Sequence, residues 1–273
     1  MTQHRARYHE VEVVQTRWLS PHMIRVVFTA ESLAAFGDDL HADAYVKATF
    51  VKPELGLTPP YDLAELRLRL APEDLPVRRT YTVRWYHQPE RQVAIDFVVH
   101  GDEGVAGPWA AAAVPGDHLV ISSPGGAYTP RADADWHLLA GDEAALPAIA
   151  AALEAMPADA VGDAFIEVDS ADEHQALSHP EGILLHWLHR EGVPAGTSTV
   201  LVDAVTKSPW REGTVQVFVH GERGMVKELR NYLKDVHAVS REQLSLSGYW
   251  AYGRAEDRFQ AEKREPIGQI SLD

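Results

Sequence analysis

Arg78-Arg79-Thr80-Tyr81-Thr82-Val83-Arg84-Trp85-Tyr86 is rich in β-branched and aromatic residues at a period of two, which predicts a strand from Val77 to Tyr86. On such a strand Arg79, Tyr81 and Val83 share one face, and Thr80, Thr82 and Arg84 the other. Two arginines and two threonines make poor core material. An arginine fork matches a phosphate bidentately, a tyrosine packs along a sugar or ring system, and a threonine hydroxyl bonds a polar ring edge. The set suits a dinucleotide.

Downstream, a turn at Gln88-Pro89-Glu90 leads into an apolar strand, Val93 to Val99, interrupted by Asp96. Then comes His100-Gly101-Asp102-Glu103-Gly104-Val105-Ala106-Gly107-Pro108-Trp109-Ala110, whose glycines let a ligand approach the backbone closely. Pro108 suits the first position of a short helix, Trp109 to Ala113, with free amides that favour an anion. Arg79 and this helix start are expected to hold one pyrophosphate between them. Pro115-Gly116-Asp117 turns the chain into a strand, His118 to Ser122, which Ser123-Pro124-Gly125-Gly126 ends.

Upstream, Val11 to Leu19 and Met23 to Thr29 read as strands joined at Ser20-Pro21-His22, and Ala44 to Val51 as a third. Residues 52–76, with Pro53, Pro59, Pro60, Pro72 and Pro76, are expected to form an irregular insertion that rims a pocket. These readings make residues 1–130 an antiparallel six-stranded β-barrel. From Asp135 strands alternate with helices, so residues 131–273 are expected to form an α/β domain with a parallel sheet and a helical C-terminal tail.

The second domain opens with the strand Trp136 to Ala140, the turn Gly141-Asp142-Glu143 and an alanine-rich helix, Ala144 to Met156, with Pro147 in its first turn. This is how nucleotide domains begin, although no G-x-G-x-x-G is present. Strands at Ala164 to Val168, Ile183 to Leu188 and Val215 to Val219 follow, with helices at Ser198 to Val205 and Met225 to Val236. Glu167 and Asp169, at the end of a strand, stand where an acid accepts hydrogen bonds from a ribose and repels a 2'-phosphate, which favours NADH over NADPH. His186 and His189 read as packed or exposed histidines and not as metal ligands.

The chain has 273 residues, enough for two domains with their own cores. Its apolar fraction of 45% and charged fraction of 24% are those of a globular protein, and no run is long and apolar enough to enter a membrane. The start, Met1-Thr2-Gln3-His4-Arg5-Ala6-Arg7, does not read as a signal peptide, so a cytoplasmic location is expected. Cysteine is absent, which removes thiol chemistry and thiolate-held clusters, so an organic cofactor must carry any electrons. A net charge of -15 argues against nucleic acid and anionic membranes as partners, and an anionic substrate would need a local basic pocket.

Arg79-x-Tyr81-Thr82 resembles the flavin-binding signature of ferredoxin-reductase-like flavoproteins. With Asp96-Phe97-Val98-Val99-His100-Gly101, Gly107-Pro108-Trp109-Ala110, Pro115-Gly116-Asp117 and Gly141-Asp142-Glu143-Ala144-Ala145-Leu146-Pro147, the series resembles the siderophore-interacting protein family of flavin-dependent ferric-siderophore reductases. Gly248-Tyr249-Trp250-x-x-Gly253, followed by Glu256-Asp257 and Lys263-Arg264-Glu265, is similar to the family's C-terminal signature, with Ala251 where family members typically carry a basic residue.

The resemblance implies an FAD site formed by Arg79, Tyr81, Thr82, Val83, Asp96, Phe97, Val98, His100, Gly101, Gly104, Val105, Ala106, Gly107, Pro108 and Trp109, with Trp250 and Tyr252 from the end of the chain. Thr82 is expected to position the flavin edge, and no acid-base residue is required. It implies a nicotinamide site formed by Gly141, Asp142, Glu143, Ala145, Pro147, Glu167, Asp169, His220, Gly221 and Glu222. Lys47, Arg254 and Lys263 are expected to attract the ferric siderophore. The donor is expected to be NADH or NADPH, with ferredoxin as another possibility. The same residues leave open a general flavin or ferredoxin-type reductase, a redox-silent iron-chelate binding module, and a subunit that feeds a partner oxygenase.

Overall fold

A computed structural model describes residues 8–37, 40–101, 104–263 and 265–270, and the chain divides into two compact units, Met1–Ala127 and Tyr128–Asp273. Asp102, Glu103 and Arg264, named above, lie outside the described residues, as do the side chains of Glu256 and Asp257.

The first unit is an antiparallel sheet built from β1 (Tyr8–Ser20), β2 (Met23–Thr29), β3 (Tyr45–Phe50), β4 (Val77–Thr82), β5 (Trp85–His87), β6 (Gln92–Val98) and β7 (His118–Ser122). Their spatial order is β4-β3-β7-β1-β2-β6-β5. Strand β1 shows why it pairs: Val11 and Val13 are fully buried while Glu10 and Glu12 between them face out. Phe28, Ile95, Phe97 and Ile121, all fully or almost fully buried, fill the same core.

The expected six strands become seven because the Arg78–Tyr86 strand breaks at Val83-Arg84. The Val83 amide donates to Ala44 O at 2.7 Å, on the β3 side, and the Arg84 amide to Ala94 O at 2.9 Å, on the β6 side. One chain segment therefore crosses from one edge of the sheet to the other. The ladder itself stays open, with β4 and β5, the two strands this segment joins, at its opposite edges.

Two local expectations change. Residues 52–76 are not wholly irregular, since they contain α1 (Leu63–Arg69), capped by Asp62, whose Oδ1 accepts from Ala64 N at 2.9 Å and Glu65 N at 3.1 Å. Helix α2 (Ala106–Ala112) starts two residues before Pro108, which is thus the third helical residue and not the first. Proline is still tolerated there, because first-turn amides have no intrahelical acceptor.

The second unit is a parallel sheet in the order β10-β9-β8-β11-β12. Its strands are β8 (Trp136–Gly141), β9 (Val161–Val168), β10 (Gly182–His189), β11 (Val215–Glu222) and β12 (Leu244–Trp250). Every residue of β8 and β11 is buried, as expected for central strands covered on both faces. The helices are α3 (Leu146–Glu154), α4 (Val200–Lys207), α5 (Arg223–Asn231) and α6 (Glu256–Glu262), and α5 widens into a π-helical turn over Tyr232–Val236. Among the described residues no helix is long and apolar enough to cross a membrane.

Candidate functional site

In the first unit β4 lies at one edge of the sheet, paired with β3 so that Thr80 faces Lys47, Arg79 faces Ala48 and Tyr81 faces Val46. Cross-strand partners share a face, which puts Arg79 and Tyr81 on the core side and Thr80 with Lys47 on the outer side. The Tyr81 ring lies 4.4 Å from Phe97, so β4 abuts the end of β6. The glycine-rich loop leaves from that end. Arg79 is half-buried and its Nη1 donates to Arg78 O at 2.9 Å; the Arg78 guanidinium sits 5.2 Å over the Tyr8 ring. Thr82, Val83 and Arg84 are buried.

Beyond β6, Gly101 and Gly104 take φ of +57° and +81°, a backbone region that side-chain-bearing residues rarely enter. Nothing stands within 4 Å of the place a β-carbon would occupy at either glycine, so space beside this backbone is open. His100, Gly101, Gly104 and Val105 are exposed, and Val98, Gly107 and Pro108 are partly so. The loop follows β6, the strand whose Phe97 packs on Tyr81 of β4.

Several residues expected to touch a cofactor do other work. Asp96 is 4% exposed and accepts from Arg25 Nε at 2.6 Å and Nη2 at 2.7 Å, a bidentate pair that uses both carboxylate oxygens. Phe97 is fully enclosed in the core, and Trp109 packs against Phe28, Phe50 and Phe97 at centroid distances of 6.2, 5.6 and 6.1 Å. Ala106 is buried on the inner side of α2. These residues shape the loop from beneath it.

In the second unit the named residues gather at the C-terminal ends of β8, β9 and β11. Asp142, just after β8, takes the Ala144 and Ala145 amides on Oδ1 and the Glu222 amide and Trp250 indole on Oδ2. Burial pushes its carboxyl up to about 6, the indole hydrogen bond opposing the rise. Glu143 receives Arg190 through two bonds of 2.7 Å. Glu167 lies 3.6 Å from the same guanidinium, and burial pushes its carboxyl up to about 7 despite the arginine.

Glu167 is therefore occupied internally, which leaves Asp169, 3.8 Å from Arg190 with a side chain 37% exposed, as the carboxylate at that strand end still open to a ribose. Sequence reading missed Arg190 because a lone arginine after an apolar strand gives no pattern. His220 is buried and neutral, its ring pushed down to about 3 by burial, with Tyr249 Oη at 3.0 Å and Ser245 Oγ at 2.9 Å. Gly221 continues β11, and Ala145 and Pro147 are enclosed at the start of α3.

Of the three expected substrate cations, Lys47 is exposed on β3. Arg254 donates to Glu262 Oε1 at 2.9 Å, as does Arg258 at 3.0 Å, and Arg223 donates to the other oxygen at 2.8 Å. Hydrogen bonds from the three, Arg223 foremost, hold the Glu262 carboxyl down to about 2. Lys263 stands 4.7 Å over the Phe259 ring and lines a cavity of about 470 Å³ with Arg223 and Arg241. His186 bonds Asp163 at 2.8 Å, and His189 meets His174 at 2.7 Å. Among the described residues, no group of three or more His, Asp or Glu is arranged to hold a metal ion.

Residues 12–128 match the family profile described as the siderophore-interacting FAD-binding domain, and residues 134–253 that of the siderophore-interacting protein. An uncharacterized protein of Mycobacterium tuberculosis is 43% identical, over 94% of this chain and 95% of that protein. The ferric vibriobactin reductase ViuB of Vibrio cholerae is 34% identical over 93% of each. The crystal structure of a siderophore utilization protein from T. fusca superimposes with a TM-score of 0.80 at 34% identity, covering 92% of this chain and 95% of that one. Two family profiles that together span most of the chain, with a relative 34% identical over 93% of it, show that the chain belongs to the siderophore-interacting protein family.

Proposed function

We propose that this protein is an FAD-dependent oxidoreductase that reduces ferric siderophore complexes and so releases ferrous iron, with a nicotinamide as electron donor. The observation that carries the reading is the open backbone at Gly101 and Gly104 just after β6, the strand against which Tyr81 of β4 packs through Phe97, inside the segment that matches the FAD-binding domain. The residues present fit an anionic dinucleotide. Arg79 supplies charge, the loop backbone supplies amides at positions where no side chain intervenes, and Thr82 supplies a hydroxyl beside the ring edge. When bound, the flavin takes an electron pair from a two-electron donor and gives electrons out singly, which nicotinamide does not do.

The substrate is ferric iron in its organic chelator. Ferrous iron binds hard oxygen donors less tightly than ferric iron, so one-electron reduction loosens the complex. Lys47 draws an anionic chelate toward the first unit against the overall charge of -15. Lys263, on the cavity beside α6, offers a second cation for that purpose. Asp169 selects NADH by accepting from the ribose hydroxyls, and reduced ferredoxin is the other donor to try. The reaction takes place in the cytoplasm, where both donors are available.

An absorbance spectrum of the purified protein followed by anaerobic NADH and then a ferric siderophore, with a ferrous trap, tests the reading. A yellow protein that bleaches with NADH and regains its colour as trapped ferrous iron appears is the expected result. Arg79→Gln is expected to lower flavin affinity at least about tenfold, because a hydrogen bond to a charged group is lost. A protein that stays colourless after incubation with FAD overturns the enzyme reading and leaves a binding module.

A further inference from the structure

Asp142 is 4% exposed and serves four N–H donors. Its Oδ1 accepts from Ala144 N at 3.0 Å and Ala145 N at 3.3 Å, and its Oδ2 from Glu222 N and Trp250 Nε1, both at 2.8 Å. These donors come from the entry to α3, the end of β11 and the end of β12. Four donors on two oxygens demand a carboxylate, since an amide would turn its own NH2 toward two of them. Glu222 repeats the device. Its Oε2 caps α5 by accepting from Met225 N at 2.9 Å, while Oε1 accepts from Tyr252 N at 3.1 Å.

Trp250 is thus held by its ring and Tyr252 by its backbone, from carboxylates just after β8 and at the end of β11, two adjacent central strands. Gly196 closes a third side. A β-carbon there would stand 2.9 Å from the Trp250 ring and 3.0 Å from Tyr252 Cβ. The Tyr252 residue is 56% exposed. Ligands of open parallel sheets bind outside the C-terminal ends of the strands, which is where this fixed aromatic segment sits. The arginines nearby are already matched, Arg190 to Glu143 and Arg223 to Glu262, so this edge is better suited to a ring than to a phosphate.

We propose that Asp142, supported by Glu222, is a positioning residue for the nicotinamide half of the reaction: by holding the Trp250 indole it fixes the Trp250–Tyr252 segment as an aromatic wall for the dihydronicotinamide ring. The inference rests on the reductase reading given above. Transfer of hydride from the donor ring to the flavin leaves that ring a cation, and an edge carrying the carboxylates of Asp142 and Glu222, which accept only from neutral N–H groups, favours the charge as it develops. The carboxylates do not touch the reacting atoms.

The test uses the full chain with flavin bound, Asp142→Asn, and Trp250→Phe as a second variant that keeps the ring but removes the donor. The indole resonance missing from the nitrogen–proton spectrum of Trp250→Phe identifies Trp250. In the parent protein that resonance should move with pH around 6, as Asp142 titrates, with Glu143 and Glu222 the other carboxylates beside it. In Asp142→Asn it should sit at a different shift and cease to titrate.

Flavin bleaching by NADH is expected to slow about tenfold in either variant and no further in the double variant. Reoxidation of chemically reduced flavin by the ferric chelate should keep its parental rate in Asp142→Asn. An indole resonance that Asp142→Asn leaves in place, or bleaching at the parental rate, overturns the positioning role. Bleaching that slows as expected in a protein whose parent form passes no electrons to ferric chelates supports the tether and rejects the siderophore reading alone.

Discussion

The edge strand of the first unit and the carboxylate edge of the second treat polar groups in opposite ways. On β4, Arg78 and Arg79 remain half-buried at a sheet margin, next to a loop whose glycines leave open space. At the ends of β8, β9 and β11 the polar groups are enclosed and answer one another: Asp142 takes four N–H donors, and Arg190 is set among Glu143, Glu167 and Asp169. Half-buried cations beside open backbone are the arrangement expected of a site for an external anion. A site whose donors are spent internally positions its neighbours instead. Sequence shows residue types and not whether their bonds are already made, so the two arrangements look alike until the contacts are known.

Removing the cation from the enclosed cluster should break the contrast most sharply. Arg190→Met leaves Glu143 and Glu167 buried with no counter-charge, and loss of one partner from a buried ion pair destabilises by about 3–5 kcal/mol. Urea unfolding followed by hydrogen exchange at β8 and β9 measures it. A change below about 1 kcal/mol would mean that water already reaches the cluster, and the two units would then be alike in kind. Arg79→Gln, at the open margin, should leave the same exchange rates unaltered.

The fold was largely legible because its signals are local. Strand β2 from Met23 to Thr29 and β7 from His118 to Ser122 match the expected bounds, since each lies between strong turn signals and is apolar nearly throughout. The change of rhythm after Asp135 is the parallel sheet. What escaped depended on distant partners. The break at Val83-Arg84 exists because Ala44, beside β3, and Ala94, in β6, offer carbonyls to successive amides from opposite ends of the sheet order. Asp96 reads as a ligand residue until Arg25, 71 residues earlier in the chain, is seen to claim both its oxygens. Helix α1 did have a local signal, Asp62 with Glu65 three residues on, but five prolines nearby outweighed it.

The same enclosure fixes a pH dependence for the second unit. Glu167 and Asp142 both have folded-state values raised above their ordinary ones, to about 7 and about 6, chiefly by burial. In that window the folded form binds more protons than the unfolded form, so their contribution is fully present below about pH 4 and declines as pH rises through 6 and 7. Glu262 has the opposite sign: held down to about 2, it contributes above the ordinary carboxylate range and is lost as pH falls toward 2. Glu167→Gln should flatten the decline and make the protein more stable than its parent at pH 8 by about 1 kcal/mol. If the variant is less stable at pH 8, attraction to Arg190 outweighs burial and the assignment of cause is wrong.

The smallest effect falls on two cations that look equivalent in sequence. Lys47 is exposed on the outer face of β3, opposite Thr80, whereas Arg254 is tied to Glu262, which two further arginines share. An anionic ferric chelate approaching a chain of net charge -15 gains from each uncommitted cation near its path, by an amount that salt screens within about 10 Å at 0.1 M. Lys47→Gln should therefore raise the KM for an anionic chelate by about threefold, leave kcat unchanged, and weaken the dependence of kcat/KM on salt. Arg254→Gln should change that salt dependence less, because its charge is already met and Arg223 and Arg258 remain on Glu262. Equal responses would show that the chelate senses the summed charge of the protein and not a particular lysine, which would move the search for its pocket from β3 to the cavity that Lys263 lines.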